Sequence, residues 1–121
     1  MALYSNGQYK AAEKLDVEVM KARKRVLGDE HPNTLFSMNN LASTYSSQGL
    51  WGKAKELQVQ VMEARKRVLS DEHPYTLISM NNLAFTLQSQ ARHEEALALM
   101  RNVILFLKWG RNKDIRIYSP D

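Results

Sequence analysis

The chain repeats itself. Residues 7–48 align without a gap on residues 49–90, a period of 42 residues with 27 identities. Ala22-Arg23-Lys24-Arg25-Val26-Leu27 recurs as Ala64-Arg65-Lys66-Arg67-Val68-Leu69, Asp29-Glu30-His31-Pro32 as Asp71-Glu72-His73-Pro74, and Ser37-Met38-Asn39-Asn40-Leu41-Ala42 as Ser79-Met80-Asn81-Asn82-Leu83-Ala84. A third copy opens at Ala91, with Ala96 and Leu99 at the places of Ala54 and Leu57, and then diverges. A unit of this length cannot bury its apolar face alone, so copies must stack, each against its neighbours.

The period inside each unit is helical. Ala54, Leu57, Val61, Ala64 and Val68 step by three and four, the stripe that one face of a helix buries. Ala12, Leu15, Val19, Ala22 and Val26 repeat it one unit earlier. Shorter seams run through Met38, Leu41, Ala42 and Tyr45, and through Met80, Leu83, Ala84 and Leu87. Gly49 stands where a helix ends and the chain must turn. His-Pro precedes each shorter segment, and proline suits a helix start. The spacing predicts five helices, near Gln8–Leu27, Thr34–Gln48, Trp51–Leu69, Thr76–Ser89 and Arg92–Lys108, with no useful strand alternation before Lys113. The fold class expected is all-α, one helical array over residues 1–109. It comprises a half repeat at 1–27, a repeat at 33–69 and an atypical repeat at 75–109, followed by a tail at 110–121. Met1–Ser5 matches Ser43–Ser47 in register, so the chain opens half a unit into a repeat and reads as a fragment or a truncated product.

Composition excludes several chemistries. The 121 residues include no cysteine, which removes thiol nucleophiles, iron–sulfur clusters, disulfides and cysteine-based zinc sites. The net charge of +4 is a small excess over 25% charged residues. Met1–Gly7 lacks the apolar core of a signal peptide, and the strongest apolar run, Val103–Leu107, falls far short of the roughly 20 residues a bilayer requires. A cytoplasmic location and no membrane partner are the expectation.

The period, the paired helices and the series Leu41, Ala42, Tyr45, Gly49, Trp51 and Ala54 resemble the tetratricopeptide repeat. The unit is longer than the usual length of about 34 residues. Asn-Asn-Leu-Ala and the Asp-Glu-His-Pro linker resemble the kinesin light chain subclass, whose arrays also occur in fungal and bacterial switch proteins of the NLR type. The resemblance implies a superhelix of antiparallel helix pairs, with the shorter helices lining a concave groove that binds a peptide or protein segment, and no chemistry. It also implies that Asn40 and Asn82, just before the Leu-Ala pairs, face that groove.

The groove candidates follow from helical position. Asparagine is a mediocre helix former, yet Asn39, Asn40, Asn81 and Asn82 sit mid-helix, each offering a donor and an acceptor to a peptide backbone. The alternative is that they bond between adjacent helices and set repeat geometry. Phe36, Asn39, Ser43 and Ser47 lie three or four residues apart, and so do their counterparts Ile78, Asn81, Phe85 and Ser89. Phe85 takes the place of Ser43, either as a pocket wall for a ligand side chain or packed into the last helix. Lysine and arginine are missing from both short segments, against a groove that grips a terminal carboxylate.

The clusters Lys21, Arg23, Lys24, Arg25 and Arg65, Lys66, Arg67 repeat at 42 residues and could touch phosphates from the convex side. Interleaved acidic residues and the absence of paired aromatics favour solubility and helix-end effects instead, so no nucleic acid is expected. His31, His73 and His93 form no metal-ligand spacing. There is no nucleophile elbow and no phosphate loop, so no enzyme, cofactor or metal is expected.

The third copy departs at its end. Leu105, Leu107 and Trp109 stand where Glu63, Arg65 and Arg67 stood. A helix apolar all round needs a cover. Three covers compete: a clasp by Ile115, Ile117 and Tyr118, a second chain, or a further repeat. The tail is short, so self-association through Leu105, Leu107 and Trp109 as a symmetric dimer is the expectation. Ala91, in place of Gly7 and Gly49, raises altered helix pairing or exchange at the turn before this helix.

Overall fold

The computed structural model describes the backbone of residues 6–114 and the side chains of residues 7–108. Met1–Ser5, the Trp109 side chain and the clasp residues Ile115, Ile117 and Tyr118 lie outside the described residues. Five helices follow one another among them: α1 Asn6–Leu27, α2 Pro32–Ser47, α3 Trp51–Val68, α4 Pro74–Ser89 and α5 His93–Asp114. Long and short helices alternate, each packed chiefly against its neighbours in sequence.

The starts of the short helices have a side-chain cause that proline alone does not supply. His31 and His73 are the capping residues, in extended backbone, and each Nδ1 accepts the backbone N–H two residues on, from Asn33 and Tyr75, at 3.0 Å. Pro32 and Pro74 take the first helical position, where no N–H is needed.

The turns keep their backbone even where the residue changes. Gly49 ends α2 at φ +78°, and Ala91, one repeat on, ends α4 at φ +64°. Gly28 after α1 has φ +105°, and its equivalent Ser70 has φ +145°. The turn before α5 is therefore a normal one made by a strained residue, and α5 packs on α4 of the same chain.

Two apolar clusters lie between the helices. Leu35 and Met38 of α2 meet Val61 and Ala64 of α3, with Met20 and Leu57 against them. Leu77, Met80, Leu83, Ala84 and Leu87 of α4 meet Met62, Ala96 and Val103, with Leu99 and Phe106 alongside. The α3 stripe is thus buried at Ala54, Val61 and Ala64, but its last member, Val68, is exposed. The equivalent stripe on α1 is not buried: Leu15 is 60% and Val26 72% exposed. α3 lays this face on the short helix before it, and among the described residues no helix precedes α1. At the other end, Gly110 does not stop α5, which runs to Asp114, so the boundary expected at 109/110 falls inside a helix. Glycine within a helix costs only about 1 kcal/mol relative to alanine, too little by itself to end one.

Candidate functional site

Each short helix leaves one face open. On α2 it carries Phe36, Asn40, Ser43 and Ser47, and on α4 Ile78, Asn81, Phe85 and Ser89, all exposed. These are the expected positions, and the structure brings them side by side because α2 and α4 are neighbours along the array. Asn82 Nδ2 donates to Asn39 Oδ1 at 3.4 Å, and both residues are half-buried. One asparagine of each pair is thus turned toward the neighbouring short helix, while Asn40 and Asn81 stay open to solvent. Ser89 returns its hydroxyl to the Phe85 carbonyl at 3.0 Å. The Phe85 ring meets Trp51 of α3 edge to face, 6.3 Å between centroids, rather than filling a gap against α5.

Between the first turns of α2 and α4 the face deepens into a cleft of about 440 Å³. Phe36 and Asn39 form one wall and Tyr75 and Ile78 the other, with Val68, Leu69 and Arg65 from the end of α3 at the base. Sequence reasoning misses Tyr75, Val68 and Leu69 as members of this site. Tyr75 carries a signal, since it replaces Asn33 of the preceding copy. Val68 carries none, because it belongs to a stripe that reads as buried.

Arg65 brings a cation to a face whose own helices have none. Its Nη1 donates to Ser79 Oγ at 2.8 Å and to the Tyr75 carbonyl at 3.1 Å, and its guanidinium lies 5.4 Å from the Tyr75 ring centroid. Burial pulls its pKa down, and the charge of the Tyr75 phenol partly offsets this. Arg23 makes the same tie one repeat earlier, to Ser37 Oγ at 2.8 Å and the Asn33 carbonyl at 3.2 Å. Arg67 pairs with Glu30. Three members of the basic clusters are therefore engaged within the chain, which weakens the case for a free phosphate-binding stripe.

A second cleft, about 430 Å³, opens beside α5 between Pro74, Leu77, Ile78 and Asn81 on one side and Val103, Phe106 and Leu107 on the other. Among the described residues no group of three or more His, Asp or Glu side chains stands close enough to hold a metal ion. No helix among them is long and apolar enough to cross a membrane.

Comparison with known proteins agrees with the helical array. The sequence matches the tetratricopeptide repeat family over residues 1–67 and 46–104. Among solved structures, the chain is similar to nearly identical TPR-like repeats of a protein from Podosopora anserina described as a kinesin light chain, at 34% identity and a TM-score of 0.76. A variant form of the same protein gives 33% identity and a TM-score of 0.77. In both cases 84% of this chain is covered but 48% of the other, so the chain spans about half the length of these structures. No curated protein matches.

Proposed function

The chain belongs to the tetratricopeptide repeat family, with units of the kinesin light chain kind, and from that premise we propose that it is a non-catalytic module that docks an extended segment of another protein along the open face of α2 and α4. The family mediates protein–protein interaction in general. The cleft between Phe36 and Ile78 carries the finer reading. It is mainly apolar, with Asn39 in one wall, and it is repeated in kind by the cleft beside α5, which Asn81 lines. An apolar side chain of the segment fills the first cleft, and the segment's backbone bonds to the asparagines. Asn82 keeps its carbonyl oxygen for this role, since its bond to Asn39 uses the amide.

The test is a titration with peptides selected from a random library on the intact chain. Phe36→Ala and Ile78→Ala should each weaken binding by roughly tenfold or more, as truncation of an apolar anchor does. Asn40→Ala with Asn81→Ala should weaken it further. All four positions are exposed, so folding is expected to survive. Selected peptides whose affinity ignores Phe36 and Ile78 would place the site elsewhere. The cytoplasm is the setting this reading presumes.

A further inference from the structure

Each long helix has one face that meets the short helix following it, and the three copies of that face differ in a graded way. On α1 it is Glu13, Asp16, Met20 and Arg23. Glu13 accepts from Gln48 at 3.1 Å, Asp16 accepts from Thr44 at 2.7 Å, and Arg23 donates to Ser37. On α3 the register positions 42 residues on are Lys55, Gln58, Met62 and Arg65; Met62 enters the core and Arg65 bonds to Ser79. On α5 the same positions are Leu97, Met100, Ile104 and Leu107. The face passes from polar, through mixed, to wholly apolar. Among the described residues nothing covers it there: Leu97 is 58%, Ile104 51% and Leu107 55% exposed.

Spacing and charge indicate the occupant. Residues 97, 100, 104 and 107 step by three, four and three, the seam by which two helices pair along their length. One flank of the seam, Ala96 and Val103, is already buried against α4. The other flank carries Glu94 at its start and Arg101 and Lys108 further on, all exposed. Neither Glu94 nor Lys108 has an ion pair among the described residues. If two copies lay parallel, the charged flank of each would face the Ala96 and Val103 flank of the other, and Glu94 and Lys108 would meet no opposite charge there. If they lie antiparallel, each Glu94 meets the Lys108 of the other copy, and the four apolar residues close on themselves. Arg101 then meets its own copy near the two-fold axis, on a side chain long enough to turn to solvent.

We infer that the occupant is a second copy of this chain, with α5 pairing antiparallel to α5 about a two-fold axis. The interface excludes Leu105, which the sequence pattern groups with it. It lies outside the apolar seam, on the flank that carries Arg101 and Lys108, four and three residues away. It also differs from an exchange of helices, since α5 stays on its own α4. Of the seam residues, Leu107 also lines the cleft beside α5, while none lines the cleft between α2 and α4.

Sedimentation equilibrium on the intact chain at micromolar concentration tests this. The expected result is a dimer that Ile104→Glu turns into a monomer, with circular dichroism and thermal midpoint of the monomer fold retained because Ile104 is exposed. Glu94→Lys and Lys108→Glu should each weaken the dimer by about tenfold, since each reverses two contacts per dimer. The two together in one chain should restore it. A wild-type monomer would show that the seam awaits another helix, and would overturn the proposal. So would a dimer that survives Ile104→Glu, or a double charge exchange that fails to recover the affinity of the wild type.

Discussion

The side-chain amide of Asn82 donates to the side-chain carbonyl of Asn39, at 3.4 Å, across the boundary between two repeats. The bond joins two short helices that otherwise touch little, since each packs chiefly on the long helices beside it. Its length places it at the weak end. A double-mutant cycle of Asn39→Ala and Asn82→Ala should return a coupling of about 0.5 kcal/mol, the bottom of the usual range for a net hydrogen bond. Chemical denaturation of the four proteins measures it. A coupling of zero would leave both asparagines free to serve a ligand. A cycle repeated with bound peptide would show whether docking competes with the bond.

Equivalent threonines should respond with opposite signs. Thr44 Oγ1 donates to Asp16 Oδ2 at 2.7 Å across the α1–α2 boundary. One repeat on, Thr86 is fully buried and its hydroxyl has no partner, and Gln58, at the place of Asp16, has a buried oxygen without one. Thr44→Val should destabilise by about 1.5–2 kcal/mol, the lower part of the range for a hydrogen bond to a charged group. Thr86→Val removes a buried, unpaired hydroxyl at nearly constant shape and should stabilise by roughly 1 kcal/mol. Thermal melts of the two variants suffice. Destabilisation by Thr86→Val would mean that its hydroxyl has a partner in solution.

Backbone strain at two turns gives a further prediction. Ser70 and Ala91 hold positive φ where the preceding unit has Gly28 and Gly49. A side chain in that region costs on the order of 1 kcal/mol, partly offset by the greater freedom of glycine in the unfolded chain. Ser70→Gly and Ala91→Gly should therefore each raise stability by roughly 0.5–1 kcal/mol, and together nearly additively, because they stand at opposite ends of α4. The measured quantity is the denaturation midpoint at constant slope. A loss of stability at Ala91→Gly would show that the turn relaxes to another conformation in solution.

The helices were legible in the sequence because repetition states each boundary twice. Gly49 and Ala91 mark the same turn, and the stripe Ala54, Val61, Ala64 could be read once and applied to its copy. The open face of the short helices was legible for the same reason. The limits are physical. Periodicity marks the side of a helix that is buried when its neighbour is present, so it could not show that Leu15 and Val26 lie open on α1. The clusters Arg23–Arg25 and Arg65–Arg67 read as solvated charge, because the serines that hold Arg23 and Arg65 stand 14 residues on, across a turn. Histidine is an uncommon cap, and nothing but its place before proline set His31 and His73 apart. Comparison of copies groups Leu105 with Leu107 by what they replace, although their separation of two residues puts them on different sides of α5.

Tyr45 lies near the end of α2. Burial raises the pKa of its phenol above the ordinary value near 10, and the charge of Glu13 on α1 raises it further. Lys53 lies over its ring, 5.5 Å from the centroid. A raised pKa in the folded state means that the fold holds the phenolic proton more tightly than the unfolded chain does. The stability this represents is fully present below the unfolded pKa and is lost as pH rises through the folded one. Stability should therefore fall from about pH 10 upward. Tyr45→Phe, which keeps the ring and removes the proton, should lose less over the same interval, and Glu13→Gln should fall between the two. Urea denaturation at pH 8 and in steps above about pH 10 compares the three slopes. Parallel curves for wild type and Tyr45→Phe would show that another group governs the alkaline loss and that Tyr45 is as well solvated in the fold as outside it.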